Sequence, residues 1–190
     1  MSSNLFDLTN KVALITGSSK GIGRAIAEEM ARQGAKVVIS SRKADACQEV
    51  ADAINAEAKA ADNPTGEAIV IPAHVGQREA LQHLVDETRA RLGQIDILVC
   101  NAAVNPFYGS MQELPDDAMD KILGINIKSN HWLVNMVLPE MIERKEGSII
   151  IVSSIGGLRG KRLSCGCVLL SLYALSLLFG CPCRFIDRAL

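Results

Sequence analysis

The hydrophobic pattern of the chain switches between two forms. Short, almost wholly apolar runs recur: "KVALITG" at 11–17, "AKVVIS" at 35–40, "GEAIVIPA" at 66–73, "IDILVCNAA" at 95–103 and "GSIIIVSS" at 147–154. Runs of this length without a helical stripe predict strands covered on both faces. Between them, apolar residues fall three and four apart. Ile22, Ile26 and Met30, with small Ala25 and Ala27, make one such stripe, and Gly34 sits where a helix is stopped. Residues 44–61 and 77–93 repeat the helical pattern. The region 115–144 reads as helix opened by Pro115-Asp116-Asp117, with bends expected near Asn126 and Pro139.

Strands alternating with helices predict a Rossmann-like, doubly wound α/β fold. Its parallel sheet would have about five strands, with helices on both faces. Ligands of such folds sit beyond the C-terminal strand ends. A chain of 190 residues is enough for one domain, and a net charge of −1 leaves no basic footprint for nucleic acid and no acidic tail. The first residues show no charged-then-apolar leader pattern, and Cys47 and Cys100 are scattered singly, as reduced thiols are. Together these lead to the expectation of a cytoplasmic protein. Cys165, Cys167, Cys181 and Cys183 cluster near the end as Cys-x-Cys pairs, not the Cys-x-x-Cys of zinc sites, so no metal is expected.

The densest chemistry lies at the end of the first strand. "TGSSKGIG" (16–23) leaves that strand and opens the first helix, with glycines at 17, 21 and 23. Glycines permit a tight turn and close backbone approach, and a helix N-terminus offers unpaired N–H groups and partial positive charge to a diphosphate. A plain glycine turn is the alternative. The spacing G-x-x-x-G-x-G resembles the short-chain dehydrogenase/reductase family, and further matches follow in order. "NAA" at 101–103 resembles the family's N-A-G element, "IN" at 125–126 its catalytic asparagine, and "GSIIIVSS" the strand that delivers its catalytic serine. The resemblance spans roughly 11–160, taken as one NAD(P)-binding domain, and within the family looks most like the bacterial-type NADP-linked carbonyl reductases. It implies the strand order 3-2-1-4-5 and cofactor contacts from Gly17, Ser19, Lys20, Gly21, Ile22, Gly23, Ser41, Arg42, His74, Val75, Asn101 and Ala102.

The end of the second strand separates NAD from NADP. An acidic residue there would accept hydrogen bonds from the adenosine 2′-hydroxyl and repel a 2′-phosphate. Here the chain reads "SSRK" with no acid, Arg42 is suited to bidentate pairing with a phosphate, and Lys20 adds a second positive charge. NADP is therefore expected over NAD. The alternative is that Arg42 and Lys43 form a solvated helix start. His74 departs from the family, which commonly has an aspartate there to contact the adenine.

Hydride transfer is carried by the nicotinamide, so the protein must polarise a carbonyl and handle a proton at its oxygen. The resemblance implies that Asn126 holds a water of the proton relay and that Ser154 hydrogen-bonds the substrate oxygen. It also implies a Tyr-x-x-x-Lys pair, due near Cys167 and Ser171, and this pair is absent. Tyr173 is followed four residues later by Leu177, Tyr108 has no lysine at that spacing, and no lysine occurs after Lys161. The chain is expected to be a catalytically defective member, truncated or altered after about Gly160, with no late substrate-binding segments. Its substrates in complete relatives would be small carbonyls or alcohols.

Residues 161–190 form a separate apolar, Cys- and Leu-rich tail, uncharged from Leu163 to Cys183. It has the length of a membrane span but carries Gly166, Gly180, Pro182 and serines. It would also fit as a buried helix in place of the catalytic one. The favoured origin is a shifted frame, altered splice or insertion. A rival to the enzyme reading is a non-catalytic NADP-binding or regulatory partner of a full-length relative, as a homo- or hetero-oligomer through helices in 116–143.

Overall fold

The computed structural model describes residues 6–60, 66–154 and 184–188. Elements follow in the order β1 Val12–Thr16, α1 Gly21–Arg32, β2 Lys36–Ser40, α2 Ala44–Ala60, β3 Glu67–Val70, α3 Arg78–Leu92 and β4 Ile97–Cys100. A 3-10 turn at Met111–Glu113 precedes α4 Asp116–Ile122, a π-helical turn Leu123–Lys128, α5 Ser129–Glu143, β5 Ser148–Val152 and β6 Arg184–Arg188. A π-helical turn occupies the stretch around Asn126, and Pro139 lies inside α5.

The sheet is parallel throughout, in the order β3-β2-β1-β4-β5-β6. The five expected strands take the expected 3-2-1-4-5 order. A sixth joins from the tail: Ser148 pairs with Arg184 and Val152 with Arg188. An apolar strand edge leaves a row of unpaired N–H and C=O groups, and β6 occupies that row on β5. Leu163–Cys183, Cys167 and Ser171 lie outside the described residues. Among the described residues, no helix is long and apolar enough to cross a membrane.

Alternation along each strand divides the core in two. Leu14, Val38, Leu98 and Ile149 face the α3 and α5 side, packing on Leu81, Leu84, Leu133 and Val137. Ala13, Ile15, Val37, Ile39 and Val99 face the α1 and α2 side, packing on Ala27, Ala31, Val50 and Ile54. Each fully buried large aliphatic side chain contributes about 1.5–3 kcal/mol from removal of its surface from water.

The N-terminal ends of the central strands are locked by polar contacts. Asp96, 3% exposed, accepts the Val12 N–H through Oδ2 at 2.9 Å and Gln94 Nε2 through Oδ1 at 2.7 Å. Arg144 Nη2 donates to Ile95 O at 2.6 Å and stands 3.8 Å from Asp96 Oδ1. With that end closed, the C-terminal strand ends are where a cleft opens.

Candidate functional site

The glycine loop is held rigid from beneath. Ser18 is fully buried; its Oγ donates to Ile15 O at 2.8 Å and accepts the Ser40 N–H at 2.9 Å. Thr16 Oγ1 accepts the N–H groups of Asn101 and Ala102, both at 3.1 Å. Asn101 Nδ2 donates back to Thr16 O at 2.9 Å and Gly17 O at 3.2 Å. The start of "NAA" thus clamps the loop, its amide N–H groups taken by backbone carbonyls. Two glycines are required by geometry. Gly17 has φ +68, and a Cβ there would stand 3.0 Å from Ala102 Cα. At Gly23 a Cβ would stand 2.4 Å from Asn101 Nδ2 and 2.6 Å from Gly17 O.

Helix α1 then starts without a side-chain cap at Lys20 and without an acid in its first turn. Its first N–H groups have no intrahelical acceptors. The first residue of α1, Gly21, lines a cleft of about 600 Å³ at the C-terminal strand ends. The loop supplies Gly17, Ser19, Lys20 and Gly21, the β2–α2 connection Ser41, Arg42 and Lys43, and the segment after β3 His74 and Val75. The segment after β4 supplies Asn101 to Val104, and the α4 region adds Lys121 and Ile125. Among the described residues, no aspartate or glutamate lines this cleft.

The expected cofactor residues therefore converge, with two set apart. Ile22 is 50% exposed but does not line the cleft, and Gly23 serves the packing of helix on loop. His74 Nδ1 accepts the Gly76 N–H at 3.1 Å. Cys100, at the end of β4, is wholly buried, and burial pushes its thiol up to about 12, so it stays protonated.

The expected catalytic residues stand elsewhere. Asn126 is 4% exposed; its Oδ1 accepts the Val104 N–H at 2.8 Å and its Nδ2 donates to Val104 O at 2.9 Å. Asn130 Nδ2 donates to Asn126 O at 2.8 Å. The asparagine side chain thus pairs with Val104 as a neighbouring strand would, and fixes the chain after β4 against the π turn. Ser154 is half-buried just beyond β5 and does not line the cleft. Tyr108, 76% exposed, lies between β4 and α4. The positions due for the tyrosine and lysine, Cys167 and Ser171, are outside the described residues.

Sequence reasoning missed Lys121, Val104 and Ile125 as lining residues. The only signal for Lys121 and Ile125 was their spacing of four, which places both on one helix face.

A doubly wound parallel sheet whose first strand ends in a glycine loop and an uncapped helix, beneath a cationic cleft, is the architecture of a dinucleotide-binding α/β protein. The family model for short chain dehydrogenases matches residues 11–165, and the chain belongs to that family. Dehydrogenase/reductase SDR family member 4 of Bos taurus is 45% identical over 151 residues, 78% of this chain and 50% of that protein. Its Homo sapiens counterpart is 44% identical over 148 residues, 78% of this chain and 51% of that protein. The chain thus spans about half the length of these curated relatives. A short-chain dehydrogenase/reductase structure from Mycobacterium marinum superposes with TM-score 0.80 at 31% identity, covering 90% of this chain and 68% of that one. A metagenomic short-chain oxidoreductase in complex with NADP superposes with TM-score 0.84 at 27% identity, covering 96% of this chain and 82% of that one.

Proposed function

We propose that this chain binds NADP in the cleft and carries out the carbonyl/alcohol hydride transfer of its family poorly or not at all. The observation that carries the binding half is the cleft's charge: Lys20, Arg42 and Lys43 line it and, among the described residues, no carboxylate does. The uncapped start of α1 would take the diphosphate. Arg42 and Lys43 would hold the 2′-phosphate, whose charge an acidic residue would repel. The NADP-bound metagenomic relative supports the same reading.

When bound, the cofactor supplies the hydride. Of this chain's own residues, Ser154 would hydrogen-bond the substrate oxygen, and Asn126 would act by fixing the segment around Val104. No Tyr-x-x-x-Lys occurs in the sequence, so no tyrosine–lysine unit delivers the proton. A positioned general acid contributes about 10²–10⁴ in rate, and losing part of a unit forfeits most of the unit's effect. A steady-state assay with NADPH and simple ketones or diketones tests this. Turnover within about tenfold of an ordinary family member would overturn it.

The missing pair also favours a second reading, a non-catalytic NADP-binding or regulatory partner of a complete relative through α4 and α5. Co-purification with an active relative would support it. Residence in the cytoplasm belongs to the same proposal and is supported by the free, buried Cys47 and Cys100.

A further inference from the structure

We propose that Lys121 is a ligand-holding residue that grips the phosphoadenosine half of the dinucleotide from the α4 wall; this rests on the NADP reading above. The sidedness comes from the elements. Lys20, Arg42 and Lys43 reach the cleft from the glycine loop and the β2–α2 connection, while Lys121 comes from the element that follows β4. An anion in the cleft therefore meets positive charge from two walls rather than one.

Lys121 shares its side of the cleft with Ile125. Ile125, one turn on, also lines the cleft. Its Cδ1 lies 2.7 Å from where a Cβ on Gly76 would stand, so this face packs on the His74–Gly76 loop. That contact sets Lys121 beside the residues the sequence assigns to the adenine, rather than toward Ser154, which the cleft does not reach.

Its charge is also uncommitted. Lys11 pairs with Glu146, Arg24 with Glu28, Arg32 with Glu57 and Arg89 with Glu140. Asp117 stands four residues before Lys121, the favourable acid-to-base order on a helix. Yet among the described residues Lys121 forms no ion pair with it. Its ammonium is therefore not drawn off to Asp117 on its own helix.

The test titrates NADPH and adenosine 2′,5′-bisphosphate, by calorimetry, into the full-length wild type, Lys121→Met and Lys121→Arg. Lys121→Met is expected to weaken both ligands about threefold to fivefold, as loss of an exposed charge contact does, and added salt to shrink the difference. Lys121→Arg should bind within about twofold of wild type, and thermal stability should stay unchanged in both variants. Wild-type affinity in Lys121→Met overturns the inference. So does a Lys121→Arg as weak as Lys121→Met, or a loss seen with NADPH and not with the bisphosphate. A wild type that binds neither ligand overturns the NADP reading itself, which separates the two failures.

Discussion

Asn126 offers a test of what the family's asparagine does here. Its amide makes two hydrogen bonds to one residue, accepting from Val104 N at 2.8 Å and donating to Val104 O at 2.9 Å, at 4% exposure. Asn126→Ala removes both. Each such bond is worth about 0.5–1.5 kcal/mol net, so the expected loss is about 1–3 kcal/mol. For a domain of this size that corresponds to a fall of roughly 2–12 °C in Tm. Asn126→Asp is more telling. A carboxylate keeps the acceptor for Val104 N–H but sets a second oxygen against Val104 O, in a site that also disfavours charge. The protonated acid donates there as the amide did. The folded-state pKa of this aspartate is therefore raised above its unfolded value of about 3.9. Its stability relative to wild type should be greatest below that value and fall as pH rises through the raised one. Urea denaturation of wild type and both variants at pH 5 and pH 7.5 reads this directly. If Asn126→Ala unfolds with the wild type, or the deficit of Asn126→Asp does not grow with pH, the side chain is not held by Val104 as described.

Gly23→Ala places a Cβ 2.4 Å from Asn101 Nδ2 and 2.6 Å from Gly17 O. It should cost about 1–3 kcal/mol and weaken NADP binding at least about tenfold, because the clamp under the loop must shift; calorimetry showing wild-type affinity would refute this. At the surface, the hydrogen bond from Arg32 holds Glu57 below its ordinary 4.5, and the one from Lys11 does the same for Glu146. A lowered folded pKa stabilises fully above the ordinary value and is lost as pH falls through the lowered one. Urea midpoints should therefore drop below pH 4.5, and the double variant Glu57→Gln, Glu146→Gln should flatten that drop; an unchanged slope would count against the pairs. Deleting residues 184–190 removes β6 and leaves the β5 edge unpaired. Light scattering should then show association absent from the full chain, and a monodisperse deletion would contradict the role given to β6.

Most of the sheet was legible because its signals are local. An apolar run such as "VALIT" ended by glycine marks a buried strand, and alternation with helices makes the sheet parallel; the strand order came with the family resemblance. The glycine loop was legible for the same reason, since Gly17 and Gly23 answer to contacts within one strand–turn–helix unit and its neighbour Asn101. What escaped depends on distant chain. Nothing in "RFIDR" announces that it pairs with β5, because that pairing depends on an open edge formed far earlier in the chain. The π turn at Leu123–Lys128 was not legible as such, and neither was the pairing of its Asn126 with Val104, 22 residues away. Lys121 went unremarked in the sequence, because only the fold brings α4 to the cleft.

The most direct measurement is a calorimetric titration of the full chain with NADP+ and NAD+ under the same salt. Charge-assisted hydrogen bonds of about 1.5–3 kcal/mol from Arg42 and Lys43 to the 2′-phosphate should make NADP+ bind about 10- to 100-fold tighter. Equal affinity for the two, tighter binding of NAD+, or binding of neither would contradict the assignment of the cleft.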